Sequence, residues 1–305
     1  MKYSVLRLMP LVLGIAFYGG MALATPHGIG NIIVGNDAMK EYTSDGTFER
    51  TINLYTGGDV QGVAVNPQSG NYYAANGTAI YYINGYTGQL ISTIAMPSFN
   101  GPTDVAFASN QRLYVTNRAS NTVLELMVEV EGMDPYVLNS NIGAGHLSSP
   151  SGLAFSPLGK MYISNSATSN IVVLNSTFNY VRTLTVDGLS NPAGLAFSDN
   201  YLYVANRGGK NVLKVDPATG AVVLTFTGSG ENILDDPRNI LVLSDGGLLV
   251  ADGMAGVFAF DASGEYLGTL PTGPAIGIAN VVPEPVSLAL LGIGLAGLAL
   301  RRRKH

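Results

Sequence analysis

The sequence predicts an all-β fold, a six-bladed β-propeller, carried between an N-terminal signal peptide and a single C-terminal transmembrane helix. Three observations predict it. A short apolar phrase ending in Asn or Asp recurs six times, a second phrase rich in small residues precedes it, and an apolar segment with basic residues stands at each end.

The first phrase reads Ile32-Ile33-Val34-Gly35-Asn36, Tyr72-Tyr73-Ala74-Ala75-Asn76, Leu113-Tyr114-Val115-Thr116-Asn117, Met161-Tyr162-Ile163-Ser164-Asn165, Leu202-Tyr203-Val204-Ala205-Asn206 and Leu248-Leu249-Val250-Ala251-Asp252. The copies begin 40, 41, 48, 41 and 46 positions apart. A period in the forties built from short β-rich runs is that of propeller blades with four strands each.

The second phrase reads Gly62-Val63-Ala64-Val65, Asp104-Val105-Ala106-Phe107, Gly152-Leu153-Ala154-Phe155, Gly194-Leu195-Ala196-Phe197 and Asn239-Ile240-Leu241-Val242, with Pro102, Pro150, Pro192 and Pro237 two residues ahead of four copies. Small residues fit the crowded centre of a ring, so this phrase is assigned to the innermost strand and the first phrase to the next one out. Past Asn206, two further runs, Asn211 to Asp216 and Ala221 to Phe226, are separated by Pro217-Ala218-Thr219-Gly220, which is hairpin grammar. The first repeat lacks an inner strand, and Pro274-Ala275-Ile276-Gly277-Ile278-Ala279 at the far end supplies one. Joining both ends in one blade closes the ring and leaves no open edge.

At the N-terminus Lys2 and Arg7, an apolar run from Leu8 to Ala22 and the triplet Ala22-Leu23-Ala24 follow in the order a signal peptidase requires, with cleavage after Ala24. An uncleaved anchor helix is the alternative. At the C-terminus Val282-Pro283-Glu284-Pro285 precede an apolar stretch from Val286 to Leu300 and then Arg301, Arg302, Arg303, Lys304 and His305. Fifteen helical residues span roughly 22 Å of the roughly 30 Å hydrocarbon core, so spanning relies on snorkelling arginines and the flanking residues. The basic cluster stays cytoplasmic and the propeller outside. The expected divisions are 1–24, 25–281 and 282–305.

Pro283-Glu284-Pro285, a glycine-rich apolar helix and a terminal arginine cluster together resemble the PEP-CTERM sorting signal of Gram-negative bacteria that make exopolysaccharide. The resemblance implies an exosortase, a membrane transpeptidase-like enzyme, as a processing partner that cuts near the triplet. It also implies an inner-membrane-anchored precursor that passes to the cell surface or extracellular matrix. A plain membrane anchor behind a proline linker is the other reading. The copies at Leu113 to Arg118 and Leu202 to Arg207 resemble YVTN-type repeats and, more loosely, NHL-type propellers, which implies the fold and leaves function open.

Hydrophobic residues make up 47% of the chain and charged residues 12%, against roughly 25% charged in an ordinary domain, so much of the surface is destined for burial. Without cysteine there is no disulfide framework, no Cys-ligated zinc and no Cys nucleophile. Setting aside the two end segments, with their six bases and Glu284, leaves 10 bases against 20 acids, a net charge of −10, which argues against a nucleic-acid partner. His27, His146 and His305 are too few and too scattered for a metal cluster or a catalytic triad.

The recurring Asn36, Asn76, Asn117, Asn165, Asn206 and Asp252 read first as strand-end residues that cap turn backbone. Asn165, Asn206 and Asp252 are also of a type that could ligate calcium or another divalent metal, though no cofactor is required by any motif. Glu231 to Asp236 reads as a solvated acidic loop with the same calcium alternative. An insertion from about Met127 to Asn141, among Glu125, Glu129, Glu131 and Asp134, adds length where ligand contacts can accumulate. Two functions follow: a non-catalytic surface or matrix propeller that binds glycan or protein, or a metal-dependent lactonase-like or lyase-like enzyme outside the inner membrane.

Overall fold

The computed structural model describes residues 31–280, apart from 37, 44–46, 53, 55–58 and 131. Ala22, Ala24, Pro283, Glu284, Pro285, the apolar stretch from Val286 to Leu300 and Arg301, Arg302 and Arg303 lie outside the described residues, as does Glu131. No helix among the described residues is long and apolar enough to cross a membrane.

Six four-stranded antiparallel sheets form the blades. In each, the small-residue phrase is innermost, the phrase ending in Asn or Asp is second, and two further strands complete the blade; blade 5, for example, runs Pro192–Ser198, Tyr201–Asn206, Asn211–Val215 and Val222–Phe226. A two-residue-per-strand hairpin, Gly228–Ser229 with Asn232–Ile233, decorates the connection into blade 6. Blade 1 is assembled from both ends: Gly277–Asn280 pairs with Ile32–Gly35 in the register Ile32 to Asn280, Ile33 to Ala279, Val34 to Ile278 and Gly35 to Gly277. The expected closure is therefore present.

The core is divided into six apolar clusters, each lying between two neighbouring blades. Successive residues of a strand point into alternate clusters. Ile33 enters the cluster shared by blades 1 and 2, whereas Ile32 and Val34 enter the one shared by blades 1 and 6. Because both faces of each sheet are covered, the second strands are continuous apolar runs without a polar face. The outermost strands, such as Tyr180–Leu184, keep one side in solvent and are exposed along most of their length.

The recurrent Tyr and Phe of the two phrases also find a shared purpose. The second-strand Tyr of one blade meets the inner-strand Phe of the next, at centroid distances of 5.3 Å for Tyr73 and Phe107, 5.1 Å for Tyr114 and Phe155, and 5.4 Å for Tyr162 and Phe197. Such aromatic pairs add roughly 0.5–1.5 kcal/mol each beyond burial.

The four prolines open their inner strands at a β-bulge. Pro102 pairs with Asn117 and Val105 with Val115, so three residues on one strand oppose two on the other, and blades 4, 5 and 6 repeat the pattern. Proline is tolerated there because a strand's first residue need not donate to the ladder. Hydroxyls of the second strand take up the amides displaced by the bulge: Thr116 accepts from Asp104 N at 2.8 Å and Ser164 from Gly152 N at 2.7 Å.

Candidate functional site

The inner strands run in the same register against their second strands, so equivalent positions stack as layers along the central channel. The layer formed by Val63, Val105, Leu153, Leu195, Ile240 and Ile278 lines one mouth, a cavity of about 340 Å³ that Asp104 and Asn239 also line. Above it lie Gly62, Asp104, Gly152, Gly194, Asn239 and Gly277. The layer beyond, Gln61, Thr103, Ser151, Ala193, Arg238 and Ile276, lines the opposite mouth, a small cavity of about 30 Å³.

The middle layer closes the channel. Asp104 and Asn239 belong to blades 3 and 6, which face each other across a six-membered ring, and the Asn239 side chain hydrogen-bonds the Asp104 carboxylate. The other four positions are glycine, and two of them make room for these side chains: a Cβ on Gly62 would lie 2.4 Å from Asp104 Oδ1, and one on Gly194 would lie 3.0 Å from Asn239 Oδ1. Asp104 Oδ2 accepts from Leu153 N at 3.0 Å, and the Val105 amide also hydrogen-bonds the carboxyl. Burial nevertheless dominates and pushes the carboxyl up to about 7, because no charged partner offsets the loss of water.

The small mouth is rimmed by cations. Arg118 and Arg207 each open the turn that follows a second strand, at Arg118–Ser120 and Arg207–Gly209, while Arg238 stands on the inner strand of blade 6. Arg207 Nε and Arg238 Nε both donate to Asp236, the latter at 2.6 Å to Oδ2. The Arg118 guanidinium has no hydrogen-bond or ion-pair partner among the described residues. Three of the ten bases between the end segments thus line one cavity.

The polar ring of strand-end residues is spent on backbone. Asn117 Oδ1 accepts from Asn100 N at 2.6 Å, Asn165 Oδ1 from Ser148 N at 3.0 Å and Asn206 Oδ1 from Ser190 N at 2.7 Å. Their amide nitrogens donate to Ser98 O, His146 O and Gly188 O. Each residue so ties the end of its second strand to the connection that enters the same blade. Asp252 does the same with two oxygens: Oδ2 accepts from Asp235 N and Asp236 N at 2.8 and 2.9 Å, and Oδ1 from Met254 N and Ala255 N at 2.9 and 3.2 Å.

The structure does not bring Asn165, Asn206 and Asp252 together as a ligand set; each caps its own blade, and among the described residues no three His, Asp or Glu side chains group as a metal site. Replacing Asp252 by Asn leaves one oxygen for four amides. The expected cost is roughly 2–4 kcal/mol, a fall in melting temperature of about 5–15 °C for a domain of this size. An unchanged melting temperature for metal-free D252N would remove the capping role.

The acidic segment is paired, not merely solvated: Asp235 bonds Lys210, and Asp236 bonds Arg207 and Arg238. The blade 3 insertion turns at the other mouth's side of the ring, where Glu129 accepts from Tyr73 Oη at 2.8 Å and Ser69 Oγ at 2.9 Å and so staples blade 3 to blade 2. Glu125 is held by Arg112 at 2.6 Å and Tyr114 Oη at 2.9 Å. His146 is exposed and stacks on Tyr180 at 4.0 Å.

Sequence reasoning did not single out Asp104, Asn239 or the three arginines. The signal for the first two was present in the repeats, as an acid and an amide standing where other copies carry glycine.

No curated protein matches the chain. Among solved structures 1324 chains match, a breadth that marks a fold shared by many functions. One, from the crystal structure of a nidogen/laminin complex, is 17% identical with a TM-score of 0.68, covering 83% of this chain and 98% of its own. Another, a protein of unknown function from Bacteroides caccae, is 16% identical with a TM-score of 0.65, covering 83% of this chain and 99% of its own. At such identities the likeness shows the propeller alone. At the C-terminus, the PEP-CTERM protein-sorting motif matches residues 281–304. The chain is a six-bladed β-propeller bearing a PEP-CTERM protein-sorting motif, which implies an exported protein processed by an exosortase.

Proposed function

We propose that the chain is a surface- or matrix-sorted propeller that acts as a non-catalytic binding or scaffold protein for glycan or protein, in association with exopolysaccharide. The sorting motif directly behind a closed ring carries this reading. In it, signal peptidase removes residues 1–24 after Ala24, and Val286 to Leu300 with Arg301, Arg302 and Arg303 hold the precursor in the inner membrane. Exosortase then acts at Pro283-Glu284-Pro285. Proline fixes φ and disfavours helix in the residue before it, a chemistry suited to a cleavage point ahead of an apolar stretch.

Changing Pro283, Glu284 and Pro285 together to alanine, in a host with the cognate exosortase, is expected to leave an uncut form in the inner-membrane fraction while the parent appears outside. Equal release of both would reduce the triplet to a linker. Co-sedimentation of the released protein with host exopolysaccharide tests the binding role, and a protein that stays in the supernatant would defeat it.

A further inference from the structure

In four of the six blades the rim of the small mouth pairs two positions, the inner-strand residue of the outer layer and the residue that follows the capping Asn or Asp, so that a long first residue goes with glycine and a short one with arginine. Blade 4, with Ser151 and Ser166, and blade 1, with Ile276 and Asp37, do not follow it. Gln61 goes with Gly77 and Arg238 with Gly253, whereas Thr103 goes with Arg118 and Ala193 with Arg207. At the two glycine positions a side chain would crowd the rim, and Gly77 also has a positive φ of 85°. A Cβ on Gly77 would lie 3.2 Å from Gln61 Nε2, and one on Gly253 would lie 2.4 Å from Asp236 Oδ2 and 3.2 Å from Arg238 Nε. Blades 2, 3, 5 and 6 thus each deliver one long polar side chain to the same mouth, three of them guanidiniums.

The charge at this mouth is out of balance. Among the described residues Asp236 is the acid that pairs with the rim, and it is shared by Arg207 and Arg238, whose side chains remain 34% and 28% exposed. The buried Asp104 lines the floor of the same cavity, so three guanidiniums stand against two carboxyl groups. Arg118 is unpaired among the described residues. An excess of positive charge in a cavity of an otherwise strongly acidic protein is a binding feature, since a net charge of −10 would otherwise repel an anion. Guanidinium groups present planar forks that match oxyanions in pairs of hydrogen bonds. Gln61, Thr103, Ser151 and Asn191 add neutral hydrogen-bonding side chains around them.

We propose that this mouth is a binding site for a single oxyanion group, with Arg118 as its free ligand-binding cation and Arg207 and Arg238 as cations held in place by Asp236. The cavity admits the charged group and not a sugar ring, so the rest of the ligand lies over the rim, where the turns of blades 3 and 5 can contact it. Resting on the binding-protein reading, this makes the ligand an acidic saccharide that presents its carboxylate to the channel. Sulfate and phosphate share that chemistry, and the experiment separates them.

Detergent-solubilised full chain is titrated calorimetrically with methyl glucuronide, methyl glucoside, inorganic sulfate and inorganic phosphate, for the parent, R118A and R118K. Methyl glucuronide is expected to bind the parent, to bind R118A at least tenfold more weakly, and to bind R118K with intermediate affinity, while methyl glucoside binds none of them. Binding should weaken severalfold between 50 and 200 mM salt, as it does for contacts of this kind. Tighter binding of sulfate or phosphate than of the glucuronide would keep the oxyanion site and reject the carboxylate. Equal affinity of the parent and R118A at equal melting temperature, or equal binding of the uncharged glucoside, overturns the proposal. Loss of the oxyanion site with retained exopolysaccharide co-sedimentation rejects this site alone, whereas oxyanion binding without co-sedimentation rejects the binding-protein reading and leaves the site standing.

Discussion

A chain ending at Gly273 is expected to melt 10–20 °C below one ending at Val281. The removed segment supplies the whole inner strand of blade 1, and with it Ala275, Ile278 and Ala279, all buried in the clusters that join blade 1 to blades 6 and 2. Losing a buried isoleucine alone costs roughly 2–5 kcal/mol, and the ladder to Ile32–Gly35 is lost as well. At about 2–4 °C per kcal/mol for a domain of this size, a total of roughly 5 kcal/mol gives the stated shift. The truncated ring also exposes the unpaired edge of Ile32–Gly35, so concentration-dependent association should accompany the lower melting temperature. Melting by circular dichroism and sizing by light scattering read both effects. Coincident melting of the two chains would mean that the ring does not depend on its terminal strand.

Asp104→Asn is expected to raise stability at pH 8 and to flatten its dependence on pH. Between the unfolded carboxyl near 3.8 and the folded one at about 7, the folded state binds the proton that the unfolded state has lost. Stability therefore falls as pH rises through that window, is highest below 3.8, and by pH 8 has lost up to about 4 kcal/mol on this account. Arg118, Arg207 and Arg238 line the cavity next to Asp104, yet the carboxyl is raised by burial and lowered only by hydrogen bonds from Leu153, Val105 and Asn239. Asp216 and Asp261, both held below their usual value by turn amides and hydroxyls, act with the opposite sign but only below 3.8. Asparagine keeps an oxygen for the two amides and removes the charge, at a cost of about 1 kcal/mol for altered hydrogen bonding. Urea melts of parent and variant at pH 4.5 and 8 measure the difference. If the parent is no less stable at pH 8 than at pH 4.5, or if D104N keeps the parent's slope, the carboxyl is not the source.

Four features of the molecule were open to reading in the sequence. Repetition at 40–48 residues gave six blades, because each blade is a local unit whose strands must bury both faces in the same way. Proline, glycine and asparagine at fixed offsets marked strand starts and ends, because their backbone preferences act within a few residues. The pairing of Ile32–Gly35 with the segment after Pro274 was readable as a missing strand and its surplus counterpart. The sorting motif was readable as a contiguous order of residue types, with no folding needed.

Only the tertiary structure decided what meets at the axis. Asp104 and Asn239 are 135 positions apart, and Arg118, Arg207 and Arg238 are separated by 89 and 31. No local pattern joins them, since their proximity depends on the number of blades, the shared register of the inner strands and the closure of the ring. The same geometry decided the fate of residues that looked chemically open from the sequence. Asp252 has a metal-binding side chain by type, but folding surrounds it with four amides, and Asp236 in the acidic loop becomes the counter-ion of two arginines. Periodicity specifies which face of a strand is buried. What a side chain meets across a ring is set by contacts between blades that are far apart in the chain, and only the closed fold brings those into being.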